Sequence, residues 1–157
     1  MNKVKCRTLY NQVKYVDAED MIQRPSVYGL VIHDGYLLVG KTSHTQRYVL
    51  PGGGIDKGEE IDIALIREVR EETGITVTLE DFLHFHTDFF YYDPLDLAIH
   101  GFLFYYLCTP IETEISQPEQ PEIEDLEDAL WVDIKTLSEE DFQTHGGVVL
   151  QLLATLV

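Results

Sequence analysis

Apolar and polar residues alternate along much of the chain, and this alternation predicts a protein built mainly of strands. In SVYGLVIHDGYLLVGK, two apolar runs flank Asp34-Gly35, a dipeptide typical of tight hairpins. Two later segments, ITVTLEDFLHFHTDFFYY and LDLAIHGFLFYYLCT, alternate in the same way and are rich in β-branched and aromatic residues. A further short element is expected near Val13–Val16. The complete pattern predicts strands at about 4–9, 26–33, 36–41, 48–50, 75–92, 95–109 and 129–133.

A period close to four residues predicts one helix at 59–73. Ile61, Leu65 and Val69 recur at this spacing, and Gly74 is placed to end the helix. The order of strands and helices predicts an α/β/α sandwich with a mixed β-sheet. We expect a single domain over residues 1–157, with residues 1–25 peripheral to it.

A second helix is predicted over 138–156, and its starting point is open. Ser138 is a candidate N-cap, but Gly146-Gly147 weakens the middle of the segment, so the helix could begin only after these glycines. The apolar face of 148–156 either closes the core or forms a homodimer interface, and the sequence leaves both open.

The composition describes an acidic globular chain. Its 157 residues carry a formal net charge of -17, which argues against binding a nucleic acid polymer or an anionic membrane surface. Two cysteines do not form a disulfide framework in a chain of this length. The N-terminus shows no apolar signal region, and no apolar run reaches the roughly 18 residues of a membrane span. We therefore expect a cytoplasmic protein.

Three acids in the stretch REVREETG are spaced to lie on one stripe of the predicted helix, beside its apolar stripe. Glu68, Glu71 and Glu72 stand at i, i+3 and i+4, a spacing at which like charges repel. A bound cation would relieve that repulsion. A ligand set of oxygens alone, including loop carbonyls of the preceding glycines 52–54, suits Mg²⁺ or Mn²⁺ rather than Zn²⁺. The pattern therefore indicates a divalent-metal site suited to phosphoanhydride chemistry.

Residues 53–75 resemble the Nudix box, GX5EX7REUXEEXGU with U an aliphatic residue, at every fixed position. The preceding LPGGG also resembles the usual lead-in of that family, and the order of elements outside the box extends the resemblance over about 26–156. The fixed positions of the box are occupied by Gly53, Glu59, Arg67, Glu68, Val69, Glu71, Glu72, Gly74 and Ile75.

The resemblance implies a Nudix fold and roles for the residues of the box. Glu68, Glu71 and Glu72 resemble the metal-binding carboxylates of the family, with the carbonyl of Gly53 as a further ligand. Glu68 is also the candidate general base. Arg67 resembles the residue that orients a box carboxylate, with Glu59 as its salt-bridge partner.

Residues outside the box complete the candidate site. In many members of the family an acid in the loop before the last strand assists the box, and here Glu122 or Glu124 is the candidate. Tyr91 and Tyr92 are either base-stacking residues or part of the sheet packing, and Arg47 is either a phosphate contact or a surface charge. The candidate substrate contacts are Arg47, Gly52, Gly53, Gly54, Tyr91 and Tyr92.

The resemblance implies metal-dependent hydrolysis of a nucleoside diphosphate linked to another group X. The expected substrate is a small nucleotide, with (deoxy)nucleoside triphosphates first. Dinucleoside polyphosphates and ADP-ribose or nucleotide sugars are alternatives. A non-catalytic module that binds a nucleotide and regulates a partner is an alternative of another class, although the complete set of box carboxylates favours an enzyme.

Overall fold

The computed structural model describes residues 2–116 and 126–156, apart from the side chains of residues 126 and 127. Nine strands and two α-helices lie within these ranges. The helices are α1 (Ile61–Thr73) and α2 (Gly146–Leu156). The strands are β1 (Lys3–Thr8), β2 (Val13–Asp17), β3 (Ile22–His33), β4 (Tyr36–Thr42), β5 (Tyr48–Val49), β6 (Gly52–Gly54), β7 (Val77–Tyr92), β8 (Leu97–Pro110) and β9 (Leu126–Asp133).

The strands form a mixed sheet in the order β2-β1-β7-β8-β3-β4-β5, with β6 paired to β3 and β9 paired to β4. Two of the pairings are parallel, β1 with β7 and β3 with β8, and the others are antiparallel. The β3–β8 ladder is the longest parallel one and runs from the pair Ile22–Ile99 to the pair Val31–Cys108. The predicted mixed sheet is therefore confirmed.

The two helices cover opposite faces of this sheet. Side chains alternate between the faces along a strand, so Leu30 of β3 joins a core that contains Val149 and Leu153 of α2. Its neighbour Val31 joins a second core that contains Leu65 of α1. The apolar face of α2 thus closes the core, while a homodimer stays a prediction. The α/β/α sandwich follows from these two cores.

Strand β3 begins at Ile22, four residues before the predicted start, and therefore contains Pro25. The sequence pattern suggested a break there because proline has no amide hydrogen to donate. The carbonyl of Pro25 nevertheless accepts a hydrogen bond from the amide of Ile55 at 3.0 Å. The long pairing with β8 therefore makes β3 begin earlier than the local sequence predicts.

Two other predicted boundaries differ from the structure. The glycine stretch Gly52–Gly54 is a short strand rather than an open loop, because it pairs with Ser26–Tyr28 of β3. Helix α2 begins at Gly146, later than the Ser138 start, but it includes the two glycines after which the alternative start was expected. A separate 3-10 turn at Glu139–Asp141 carries the predicted Ser138 cap, and His145 with φ of 57° divides the turn from the helix. Neither described helix is long and apolar enough to span a membrane.

Candidate active site

The glycines of β6 allow helix α1 to pack directly against the sheet. A Cβ atom on Gly53 would lie 2.8 Å from the carboxyl carbon of Glu68, closer than real Cβ contacts. A Cβ atom on Gly52 would lie 2.2 Å from the carbonyl oxygen of Val27, and the φ of 149° at Gly52 also favours glycine. A side chain at Gly52 would push β6 away from β3, and one at Gly53 would push α1 away from β6. The glycines therefore set the distance between the acidic helix and the sheet.

Arg67 joins the start of the box to its acidic end. Its Nε and Nη2 atoms donate to the two carboxylate oxygens of Glu59 at 2.7 and 2.9 Å, and Nη2 also donates to the carbonyl of Gly54 at 3.3 Å. This paired hydrogen bonding lowers the pKa of Glu59 to about 2 and raises the pKa of Arg67 above its ordinary value. Both groups stay charged, so the Arg67–Glu59 contact expected from the resemblance is an ion pair with a fixed geometry.

The three box acids differ in burial and in partner. Glu68 is 6% exposed and accepts from Arg67 Nη1 at 3.1 Å, whereas the side chain of Glu71 is 53% exposed and accepts from the same nitrogen at 3.3 Å. Glu72 accepts from the amide of Gly52 at 2.8 Å. Within residues 2–116 and 126–156, no three acidic, histidine or cysteine side chains are gathered closely enough to hold one metal ion. The guanidinium of Arg67 thus already offsets part of the repulsion between the acids.

A cavity of about 470 Å³ opens beside the box and is lined by Gly52, Gly53 and Glu72. Among the predicted substrate contacts, Tyr92 also lines it. Gly54 lies at its edge beside Arg24, which lines the cavity. The rest of the lining is largely apolar and includes Leu50, Phe90, Leu97, Ile99, Leu103 and Phe142.

The structure does not bring the other predicted contacts to this cavity. Arg47 is exposed between β4 and β5, and its side chain does not line the cavity. Tyr91 is buried with Cys6 and Ala98, because alternation along β7 directs it away from Tyr92. Glu122 and Glu124 lie outside the described residues.

A family model described as NUDIX domain matches residues 22–153, which include the whole of the box. The chain belongs to the NUDIX domain family. The match extends the resemblance at residues 53–75 over strands β3 to β9, helix α1 and most of helix α2.

Curated Nudix relatives match parts of this chain. The nucleoside triphosphatase NudI of Salmonella agona is 42% identical over 66 residues, which are 39% of this chain and 47% of the relative. The RNA pyrophosphohydrolase of Sphingopyxis alaskensis is 35% identical over 87 residues, or 54% of this chain and 55% of that protein. The chain thus spans about half the length of the curated relatives it matches.

Solved structures agree on the Nudix fold. The MutT NUDIX hydrolase from Burkholderia pseudomallei superimposes with a TM-score of 0.64 at 23% identity, covering 84% of this chain and 98% of its own. Identity at this level speaks for the fold alone. The mixed sheet with a helix on each face is therefore the Nudix fold, as expected.

Arg24 is a cavity residue of this Nudix chain that sequence reasoning missed. It precedes the predicted start of β3, but it shares the alternation of Ser26 and Tyr28, which line the same cavity. A Cβ atom on Gly54 would lie 2.6 Å from its Nε, so the glycine leaves room for the guanidinium. Arg24 thereby brings a positive charge to the same wall of the cavity as Gly53 and Glu72. The period-two pattern, extended back past Pro25, could have found it.

A second polar group lies in the cavity wall and was also missed. Arg7 of β1, Asp88 of β7 and the segment Thr144–His145 before α2 meet there. The Nε2 atom of His145 lies 2.7 Å from Asp88 Oδ2, and Arg7 Nη2 lies 3.9 Å from the same oxygen. These residues come from segments far apart in the chain, and no local pattern in the sequence joins them.

His86 and Tyr105 form a neutral hydrogen-bonded pair beside this group, with His86 Nε2 and the Tyr105 hydroxyl 2.9 Å apart. Burial, with smaller contributions from the neighbouring His145 and His84, lowers the pKa of His86 to about 4. Burial also raises the pKa of Tyr105, and it raises the pKa of Tyr28 to about 12. These groups are therefore uncharged near neutral pH.

Proposed function

We propose that this chain is a divalent-metal-dependent hydrolase that cleaves a phosphoanhydride bond in a nucleoside diphosphate linked to another group. The favoured substrate is a small nucleotide such as a (deoxy)nucleoside triphosphate. The observation that carries the proposal is the arrangement of the box acids on α1, with Glu72 held by Gly52 in the wall of a cavity large enough for a nucleoside. Membership of the Nudix family supports the same chemistry.

The donor chemistry of the site fits Mg²⁺ or Mn²⁺. Glu68, Glu71, Glu72 and the carbonyl of Gly53 would supply oxygen ligands, which these hard cations prefer. Arg67 Nη1 lies within 3.1 and 3.3 Å of Glu68 and Glu71, so one positive charge can be shared by both carboxylates. A bound divalent cation supplies neutralisation of the phosphate charge and lowers the pKa of bound water.

The residues of the chain have separate roles in this proposal. Glu68, buried against Gly53, takes up the proton of the attacking water. Arg67, fixed by Glu59, orients the carboxylate of Glu68. Arg24 contacts the phosphate chain through its guanidinium, whose planar donors suit phosphate oxygens. These roles require a substrate that lies along the cavity with its anhydride beside Glu72.

The names of the relatives support a nucleotide as the substrate. One matched relative is a nucleoside triphosphatase and another is an RNA pyrophosphohydrolase. We therefore place nucleoside triphosphates before dinucleoside polyphosphates. All box carboxylates are retained, which favours catalysis over a purely regulatory binding role.

A substrate panel with product identification by mass tests the proposal. Purified protein is incubated with nucleoside triphosphates, dinucleoside polyphosphates and ADP-ribose, with Mg²⁺, with Mn²⁺ and with a chelator. We expect metal-dependent hydrolysis of at least one triphosphate, either to a nucleoside monophosphate and pyrophosphate or to a nucleoside diphosphate and phosphate. Glu72→Gln should abolish it, because the amide keeps an oxygen for Gly52 but loses the charge.

The matched control is Glu60→Gln, the same chemical change at an exposed position just before α1. It should retain the wild-type rate. Absence of turnover with every substrate, or turnover that survives both chelation and Glu72→Gln, would refute the proposed function.

A further inference from the structure

The hairpin β1–β2 lies outside the matched Nudix region, which begins at residue 22, yet it supplies part of the cavity wall. Arg7 and Leu9 line the cavity. Strand β1 pairs in parallel with β7 at Arg7 and Phe90, and the amide of Leu9 donates to Asp93 Oδ1 at 2.9 Å. The carbonyl of Leu9 accepts from Gln143 Nε2. The hairpin is therefore held on both sides of the cavity, by β7 and by the segment before α2.

The guanidinium of Arg7 is fixed in this wall. Nη2 donates to Thr144 Oγ1, Nη1 donates to the carbonyl of Thr8 at 3.3 Å, and the group lies 4.9 Å from the centre of the Phe90 ring. A guanidinium has five N–H donors, and two of them are used in hydrogen bonds within the described residues. The fixed, planar guanidinium can therefore use its remaining N–H groups to donate to acceptors on a planar ligand.

Asp88 places an acceptor beside these donors, and its position depends on a glycine. Gly101 is the partner of Asp88 across the β7–β8 ladder, and a Cβ atom there would lie 2.7 Å from Asp88 Oδ1. Because Gly101 has no side chain, the carboxylate can lie over β8 within the cavity. His145 and Arg7 hold its Oδ2 atom from the other side. The wall therefore offers donors and an acceptor next to each other.

The chemistry of this wall favours a nucleobase over a second phosphate. The carboxylates of Asp88 and Glu72 line the same cavity and would repel another anion. Apolar side chains such as Leu97, Ile99 and Phe142 form the walls nearby. A base has apolar faces and an edge that carries both donors and acceptors, and Arg and Asp are side chains that read such edges.

We propose that Arg7, with Asp88 beside it, binds the edge of the substrate's nucleobase and determines which base is accepted. This rests on the proposed function, because the phosphate chain must lie at the box for the base to reach Arg7. The hairpin β1–β2 is then a specificity element added to the Nudix domain. Arg7 acts on binding of the base and leaves the cleavage step to the box.

Base selectivity in two Arg7 variants tests the proposal. The measurements are kcat/KM for the four ribonucleoside triphosphates and for inorganic tripolyphosphate, which has no base, in wild type, Arg7→Gln and Arg7→Lys. The wild type should prefer one base or base pattern. Arg7→Gln should reduce kcat/KM for the preferred triphosphate by about 5- to 150-fold, which is the effect of losing a paired base contact. The loss should result mainly from a higher KM. With tripolyphosphate, kcat/KM should change by less than about threefold.

Arg7→Lys separates base recognition from simple charge attraction. It keeps the positive charge opposite Asp88 but lacks the planar fork, so it should fold and should not restore the selectivity. Lys3→Met is the matched control in the same hairpin, because Lys3 pairs with Asp17 at 2.8 Å and does not line the cavity. It should keep the wild-type selectivity.

Three outcomes would overturn the proposal. The first is an equal kcat/KM for all four bases in the wild type. The second is a loss of kcat/KM with tripolyphosphate in Arg7→Gln that equals the loss with the preferred triphosphate. The third is wild-type base selectivity in Arg7→Lys. If no substrate is turned over, the proposed function has failed, and calorimetric binding of the four unphosphorylated nucleosides tests Arg7 separately. Selective nucleoside binding that Arg7→Gln abolishes would then support the role of Arg7, and unselective or absent binding would refute it.

Discussion

Replacing Gly53 by alanine should displace Glu68 while preserving every charge of the box. The φ of Gly53 is not in the left-handed region, so the backbone accepts alanine. The new Cβ would lie 2.8 Å from the Glu68 carboxyl carbon and 2.9 Å from both of its oxygens. Ordinary contact begins at 3.4 Å, so the buried carboxylate must move by about 0.6 Å.

The expected cost of this movement is larger for catalysis than for stability. A misplacement of about 1 Å at a reacting group can cost on the order of 100-fold in rate, so we expect roughly a tenfold loss of kcat or more. Overpacking of a buried site costs about 1–3 kcal/mol. A domain of this size loses about 2–4 °C of Tm per kcal/mol. Gly53→Ala should therefore remain folded at 25 °C.

Steady-state kinetics with Mg²⁺ and thermal unfolding provide the two measurements. Gly147→Ala in α2 is the control, because its Cβ would meet only the end of the Glu139 side chain, at 3.2 Å. That variant should keep the wild-type activity and remain folded at 25 °C. Wild-type kcat in Gly53→Ala would refute the idea that the glycine exists to seat Glu68.

Three further outcomes are expected. Mg²⁺ without substrate should raise the Tm of the wild type, and the gain should vanish in Glu72→Gln, since a ligand stabilises only the state that binds it; an equal gain in both would exclude Glu72 as a ligand. Glu59→Gln should reduce activity about 10- to 100-fold by releasing Arg67, and kinetics as in wild type would show that the ion pair is dispensable. The folded pKa of His86, about 4, is below the ordinary 6.5, so the unfolded chain binds the proton first. Stability is therefore full above pH 6.5 and falls as pH decreases toward 4. His86→Gln should lessen that fall by up to about 1.4 kcal/mol per pH unit, and an unchanged curve from urea unfolding would contradict the assignment.

Local sequence was sufficient for the elements whose signals are local. The Asp34-Gly35 hairpin and the spacing of Leu65 and Val69 in α1 depend on residues close in sequence. The pairing of Arg67 with Glu59 was expected from the resemblance to the Nudix box. Each of these features is present in the structure. The complete box in the sequence also predicted the correct family.

Features set by long-range pairing could not be predicted in this way. Strand β3 extends back through Pro25 because β8 pairs with it, and the glycine stretch becomes a strand because β3 pairs with that too. Arg7 reaches the cavity through the parallel β1–β7 pairing, which no local signal in the sequence indicates.

The hydrogen bond between Gln143 and Leu9 joins positions 134 residues apart. At about 5–20 residues per second, a ribosome would need roughly 7 to 27 s to make the chain between them. During that interval the nascent chain has one wall of the cavity without the other. A nucleotide cannot assist folding through a site that does not yet exist, so any stabilisation by ligand begins only after Gln143 has emerged.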